Sequence, residues 1–176
     1  MNTVIIYNSK TGFTEKYAMW LKEALKADCC TIKDAKSMNL DKYDAIIFGS
    51  WVCAGNVSKS KWFWDRFSSW NNKCLAVFAV GGSPRENPDI DKFLSTVIPA
   101  ECTNAKAFYC QGGFAYEKMD GPSKFAMKLF VKMLKSRKNQ TDDEKYMAEM
   151  ISHSYDISDK KYILPIVEYV QGWTAN

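Results

Sequence analysis

The stretch Tyr7–Ala18, YNSKTGFTEKYA, decides how the chain is read. A strand-like run, Val4-Ile5-Ile6-Tyr7, stops at Ser9, Lys10, Thr11, Gly12, Phe13 and Thr14, and a helix-like run from Glu15 to Lys26 follows at once. One hydroxyl is enough to cap a helix; three hydroxyls and a glycine are a surplus. A helix N-terminus presents unpaired N–H groups and a partial positive charge, which together bind phosphate. Gly12 lets the backbone curl closely around an anion, and the hydroxyls of Ser9, Thr11 and Thr14 add donors that need no ionisation. The alternative reading is a helix cap with spare polar side chains. The pattern matches neither G-x-x-x-x-G-K-[ST] nor G-x-G-x-x-G, so nucleoside triphosphate and dinucleotide loops are poor fits.

Outward from this loop, strand and helix patterns alternate. Strands are expected at Thr3–Tyr7, Cys29–Ile32, Tyr43–Phe48, Cys74–Val80 and Ala105–Tyr109. Helices are expected over 13–27, 61–70, 89–98 and 162–172, with two more, 123–135 and 142–151, inside a surplus segment 114–156. Strands nearly continuous in apolar residues imply a buried parallel sheet covered on both faces. The expectation is an α/β, doubly wound, five-stranded parallel sheet in one domain spanning 1–176, with a helical insert between the fifth strand and the last helix. Ligands of such sheets sit beyond the strand C-termini, at the switch point. The segments there, Gly49-Ser50, Gly81-Gly82-Ser83 and Gly112-Gly113, are rich in small residues.

The chain has 176 residues, 47% hydrophobic and 25% charged, with a net charge of +4, ordinary values for a globular domain. Six Trp, nine Tyr and ten Phe suit a bulky core or a site for flat, conjugated ligands. None of the six cysteines forms a C-x-x-C pair, so zinc spacing is absent. Met1 leads directly into a strand without the regions of a signal peptide, and no apolar run approaches the roughly 20 residues that cross a bilayer. Reduced thiols in a cytoplasmic protein are therefore expected. His153, the single histidine, lies in the polar stretch ISHSYDISD, and no Ser-His-Asp or metal-ligand constellation is expected around it.

The loop Ser9-Lys10-Thr11-Gly12-Phe13-Thr14 resembles the phosphate loop of the flavodoxin family, [ST]-x-T-G-x-T, with every specified position filled. GSWVCAGNV (49–57) and VGGSPRENP (80–88) fall where that family places its flavin contacts. The resemblance implies a flavodoxin-like sheet of order 2-1-3-4-5 and FMN as cofactor. It implies phosphate contacts at residues 9–14 and ring contacts at Ser50, Trp51, Val52, Cys53, Ala54, Gly55, Gly81, Gly82 and Ser83. Ser83-Pro84 stands where many flavodoxins carry an aromatic. No Asp or Glu lies between 50 and 64, while Lys59 and Lys61 do, so this flavin is expected to be easier to reduce fully than in acidic flavodoxins.

The surplus segment carries the basicity. Residues 117–138 hold seven basic and two acidic side chains. On the helix 124–135, apolar residues fill about two-thirds of the circumference and Lys124, Lys128, Lys132 and Lys135 the rest, a wider apolar arc than one packing contact needs. Three placements satisfy this pattern: burial against the sheet and helix 142–151, docking on an anionic membrane or a quinone-linked partner, or self-association. The run 112–135, GGFAYEKMDGPSKFAMKLFVKMLK, resembles the insert of menaquinone-dependent protoporphyrinogen dehydrogenases in its hydrophobic and basic patterning. Three functions remain open: an FMN electron carrier, a quinone-dependent flavoenzyme of that kind, and a flavin-free interaction domain. The expected partner is a redox protein or a quinone, with peripheral contact at the inner face of the membrane through the basic helix; no nucleic-acid partner is expected.

Overall fold

The computed structural model describes residues 1–174. Its main sheet runs β1 (Thr3–Asn8), β2 (Asp28–Thr31), β3 (Ala45–Cys53), β5 (Cys74–Gly81) and β6 (Ala105–Gln111) in the spatial order β2-β1-β3-β5-β6, all parallel. Counting the major strands alone, this is the expected order 2-1-3-4-5. A short β4 (Asn56–Val57) folds back antiparallel on β3. Alternate residues of each strand enter opposite cores. Val4, Ile6, Ile46, Phe48, Leu75 and Val77 pack on one face beneath α2 (Ile32–Ala35), α3 (Ser60–Trp64) and α4 (Asp89–Leu94). Ile5, Ile47, Ala76 and Phe78 pack on the other beneath α1 (Phe13–Leu25) and α7 (Leu164–Gln171). Each fully buried Ile, Leu or Phe contributes roughly 1.5–3 kcal/mol, so both faces hold their helices by burial alone.

Several element boundaries differ from the expected ones, each for a local reason. The third strand runs past Phe48 to Cys53, because Ala54 and Gly55 (φ 47° and 75°) form a tight turn that returns the chain as β4. The expected helix 61–70 breaks after Trp64: the Arg66 guanidinium donates to the Trp62 carbonyl (2.7 Å), and the Arg66 amide turns to Phe63 instead. A 3-10 turn, Phe67–Trp70, completes the segment. The expected helix 89–98 ends at Leu94, where the Ser95 and Thr96 hydroxyls donate to the carbonyls of Lys92 and Phe93. β2 starts one residue early, and Thr31 caps the short α2, where a loop was expected. The closing helix 162–172 is a 3-10 turn, Lys160–Ile163, followed by α7.

The insert holds α5 (Gly121–Lys135), capped by Asp120, and α6 (Asp142–Met150), whose Thr141 and Glu144 form a capping box. Its base is closed by two strands missed in the sequence, β7 (Gly113–Phe114) and β8 (Tyr155–Asp156), paired antiparallel. Two-residue strands carry no periodicity to read, and their pairing is a tertiary contact. Among the described residues, no helix is long and apolar enough to cross a membrane.

Candidate functional site

At the C-terminal edge of the sheet lies a cavity of about 670 Å³. Its floor is the loop between β1 and α1, its walls are the ends of β3 and β5, and its roof is the insert. Gly12 opens α1 in a left-handed conformation (φ 98°), which a side chain would strain. This turn brings the Gly12 amide 3.1 Å from the Ser9 hydroxyl, which accepts from it. Lys10, Thr11, Phe13 and Thr14 line the cavity. Thr14 is only 2% exposed, and among the described residues no hydrogen bond is made by its hydroxyl or by that of Thr11. A hydroxyl without a partner in the chain, at the edge of a cavity, is free to take one from a ligand there.

The wall residues fall as the sequence suggested, with exceptions. Trp51, Val52, Cys53, Ala54, Gly81 and Gly82 line the same cavity. Gly55 and Ser83 instead line an adjoining cavity of about 380 Å³. Gly12 borders a third, more polar hollow, which shares Thr11, Phe13 and Phe114 with the cleft. Ser50 is fully buried; its hydroxyl accepts from Asn8 (3.0 Å) and ties the ends of β1 and β3 together rather than facing the cleft. Trp51 lies in the strand, paired with Val80, and the Lys10 ammonium sits 5.9 Å from its ring centroid. Lys59 and Lys61, expected beside the ring, are exposed and do not line the cleft; Lys61 pairs with Asp65 at 2.7 Å. The cation that lines the cleft is Lys10; Lys118 lines the adjoining polar hollow, with Thr11, Gly12 and Phe13.

The largest omission of the sequence reading is the roof. Met119, Ser123, Ala126, Met127 and Phe130 of the insert line the cavity, with Gly113 and Phe114 at its base. The signal that pointed to them was the oversized apolar arc of the helix, one part of which faces this cleft. Lys10 fastens roof to floor: its ammonium lies 2.7 Å from the Asp120 carboxylate and donates to the Ser123 hydroxyl at 2.7 Å. The Lys10 and Ser123 hydrogen bonds hold the Asp120 carboxyl well below the usual carboxylate range. At the other end of the roof, the Tyr155 hydroxyl donates to the Gly82 carbonyl (2.8 Å) and Lys16 pairs with Asp156 (2.7 Å).

The cysteines supply no chemistry that competes with a bound ligand. All six are free thiols, and burial pushes the Cys74 thiol up to about 11 and the Cys110 thiol higher still. Only Cys53 lines the cavity. His153 is exposed and lies outside it, and no metal-holding cluster occurs among the described residues.

These residues fit the flavin nucleotide implied by the sequence. Unpartnered hydroxyls and a left-handed glycine stand at a helix start, where a phosphate needs donors, and an apolar slot stands beyond them, where a ring needs contact. Comparison with known proteins finds the following relatives. The chain is 32% identical to a flavodoxin of Clostridium saccharobutylicum over 130 residues, 67% of this chain and 78% of that one. It is 27% identical to the flavodoxin-like domain-containing protein BilS of Clostridioides difficile (strain CD3) over 127 residues, 65% of this chain and 68% of that one. A flavoprotein in complex with FMN from Lactobacillus acidophilus NCFM shares 16% identity at a TM-score of 0.42, covering 62% of this chain and 91% of that one. The profile of the Flavodoxin domain matches residues 4–142, nearly all of the sheet and the part of the insert that lines the cleft; FMN is the cofactor that such membership implies, and this chain belongs to the flavodoxin-domain family.

Proposed function

We propose that this protein holds one FMN in the roofed cleft and carries electrons through it. The observation that carries the reading is the pair of unpartnered hydroxyls, Thr11 and the buried Thr14, at the mouth of α1. The 9–14 loop would take the phosphate, while Trp51 to Ala54 and Gly81-Gly82 would border the ring. Met127 and Phe130 would keep water from its outer edge. When bound, the flavin supplies one- and two-electron chemistry, and the protein supplies position, water exclusion and field. The purified protein is expected to absorb as a flavoprotein after loading, and its reduced form to be reoxidised by a small haem protein. A chain that takes up no FMN overturns the reading.

A second reading, an enzyme that delivers electrons to a quinone, is favoured by two features of the insert. The adjoining cavity shares Val52, Gly81, Gly82, Phe114, Met127 and Phe130 with the first, so an apolar substrate there would lie against the flavin. The outer side of α5 also leaves Phe125, Leu129 and Met133 exposed (68%, 58% and 50%) in one row at helical spacing. Beside that row stand Lys124, Lys128 and Lys132, none of them ion-paired among the described residues, whereas Lys135 pairs with Glu149 at 2.7 Å. An apolar row edged by free lysines suits an anionic bilayer surface, and the resemblance of run 112–135 to quinone-dependent protoporphyrinogen dehydrogenases points the same way. At roughly 1 kcal/mol per lysine, replacing these three by Gln should lower affinity for anionic vesicles by about a hundredfold while FMN stays bound. Co-sedimentation at low salt measures it. Wild-type protein that stays in the supernatant overturns the membrane placement and leaves the carrier.

A further inference from the structure

The insert brings a second cation to the phosphate loop. Lys118 closes the 3-10 turn Tyr116–Lys118, and a β-carbon built on Gly12 would lie 3.5 Å from its ammonium nitrogen. Gly12 is the residue around which the loop turns, and Lys118 lines the polar hollow that Thr11, Gly12 and Phe13 also border, so this ammonium stands beside the loop. The other lysines nearby are already neutralised: Lys10 by Asp120 and Lys16 by Asp156, both at 2.7 Å. Lys118 has no ion pair or side-chain hydrogen bond among the described residues. The carboxylate next to it, Glu117, lines the same hollow and accepts from the Ser154 hydroxyl (2.7 Å).

The position of Lys118 is built rather than incidental. Its turn is held by the β7–β8 pairing before it, by the Tyr116 amide donating to the Ser154 hydroxyl (3.0 Å), and by the Tyr116 hydroxyl donating to the Ile151 carbonyl. After it, Asp120 is clamped by Lys10. A lysine fixed at both ends of its segment, with no ion pair among the described residues, borders a hollow that Thr11 and Gly12 of the loop also line. The nearest carboxylate within that loop's helix, Glu15, accepts from the Tyr7 hydroxyl at 3.2 Å.

Resting on the cofactor reading above, we propose that Lys118 is a phosphate ligand supplied by the insert, and that it makes the cleft select phosphorylated flavin over riboflavin. A dianionic phosphate gains a charge-assisted contact there that riboflavin does not make. The insert then belongs to the cofactor site itself: closing the roof brings the cation down, and the phosphate in turn holds the roof through Lys118 as Asp120 does through Lys10.

The test titrates flavin-free protein with FMN and, separately, with riboflavin, following quenching of flavin fluorescence. Wild type, Lys118→Gln and Lys118→Arg are compared at low salt and in roughly 0.5 M salt, where exposed charges are screened. Lys118→Gln is expected to weaken FMN binding by about tenfold and flatten its salt dependence, while riboflavin binding stays within about twofold. Lys118→Arg should keep most of the affinity, since it keeps the charge. Unchanged FMN binding in Lys118→Gln overturns the proposal, and so does an equal loss for both flavins, which would mark a structural role. Wild-type protein that binds neither flavin overturns the cofactor reading itself, and this proposal with it.

Discussion

Replacing Gly49 by alanine is expected to lower the stability of the protein by about 3 kcal/mol, the upper end of the cost of overpacking a core. Gly49 lies in the central strand β3, opposite Phe78 of β5. A β-carbon there would meet Phe78 Cζ at 1.9 Å and the two Cε atoms at 2.3 and 2.4 Å. The ring cannot step aside, because Phe78 is fully buried under α1 and α7, and the backbone cannot retreat from a strand paired on both sides. For a chain of this size, about 3 kcal/mol corresponds to a fall in Tm of roughly 6–12 °C. Thermal unfolding followed by circular dichroism measures the shift. Adding Phe78→Leu to Gly49→Ala should recover part of it by vacating the tip of the ring. A single variant that melts with the wild type would show that the sheet and the ring have more freedom than their packing implies.

The second large effect concerns binding. Thr11→Val together with Thr14→Val keeps side-chain volume but removes two hydroxyls from the cavity. Hydrogen bonds to a charged group contribute roughly 1.5–3 kcal/mol each, so FMN affinity should fall by at least about tenfold and, if the two act independently, by more than a hundredfold. Folding should not suffer. Thr14 is almost fully buried and its hydroxyl makes no hydrogen bond among the described residues, so valine there gives up no hydrogen bond of the flavin-free chain and adds apolar contact. The flavin-free double variant is therefore expected to melt at or above the wild-type temperature. Weak binding with intact melting places the loss at the phosphate. Unchanged binding would remove the 9–14 loop from the cofactor site.

Lys59 and Lys61 show where reading along the chain misleads. They stand within ten residues of Trp51 in sequence, but the turn at Ala54-Gly55 and the short β4 carry them away from the cleft. The charge that reaches the phosphate loop comes instead from Lys118, more than a hundred residues downstream. The expectation of an easily reduced flavin therefore loses Lys59 and Lys61 as its support, and Lys10, the cation that does line the cleft, is paired with Asp120.

What the order of residues determined by itself was local. Apolar strands in series with amphipathic helices bury both faces as a parallel sheet covered by helices, and Ser9 to Thr14 offer three hydroxyls and a glycine where a helix start needs one cap. The capping of α5 and α6 by Asp120 and Thr141 is equally local, since a cap and its helix lie within four residues. Tertiary structure alone decided what lies above the loop. β7 and β8 are two residues each and forty apart, and they exist only because each finds the other. The Lys10–Asp120 clamp joins residues separated by the whole sheet. The wide apolar arc of α5 showed that the helix had more than one apolar neighbour. Only the packed chain shows that one part of the arc, with Met127 and Phe130, roofs a cleft, while another, with Phe125, Leu129 and Met133, is turned outward. Periodicity reports how much of a helix is apolar; which partner each stripe meets depends on contacts between distant segments, and those form only when the chain closes on itself.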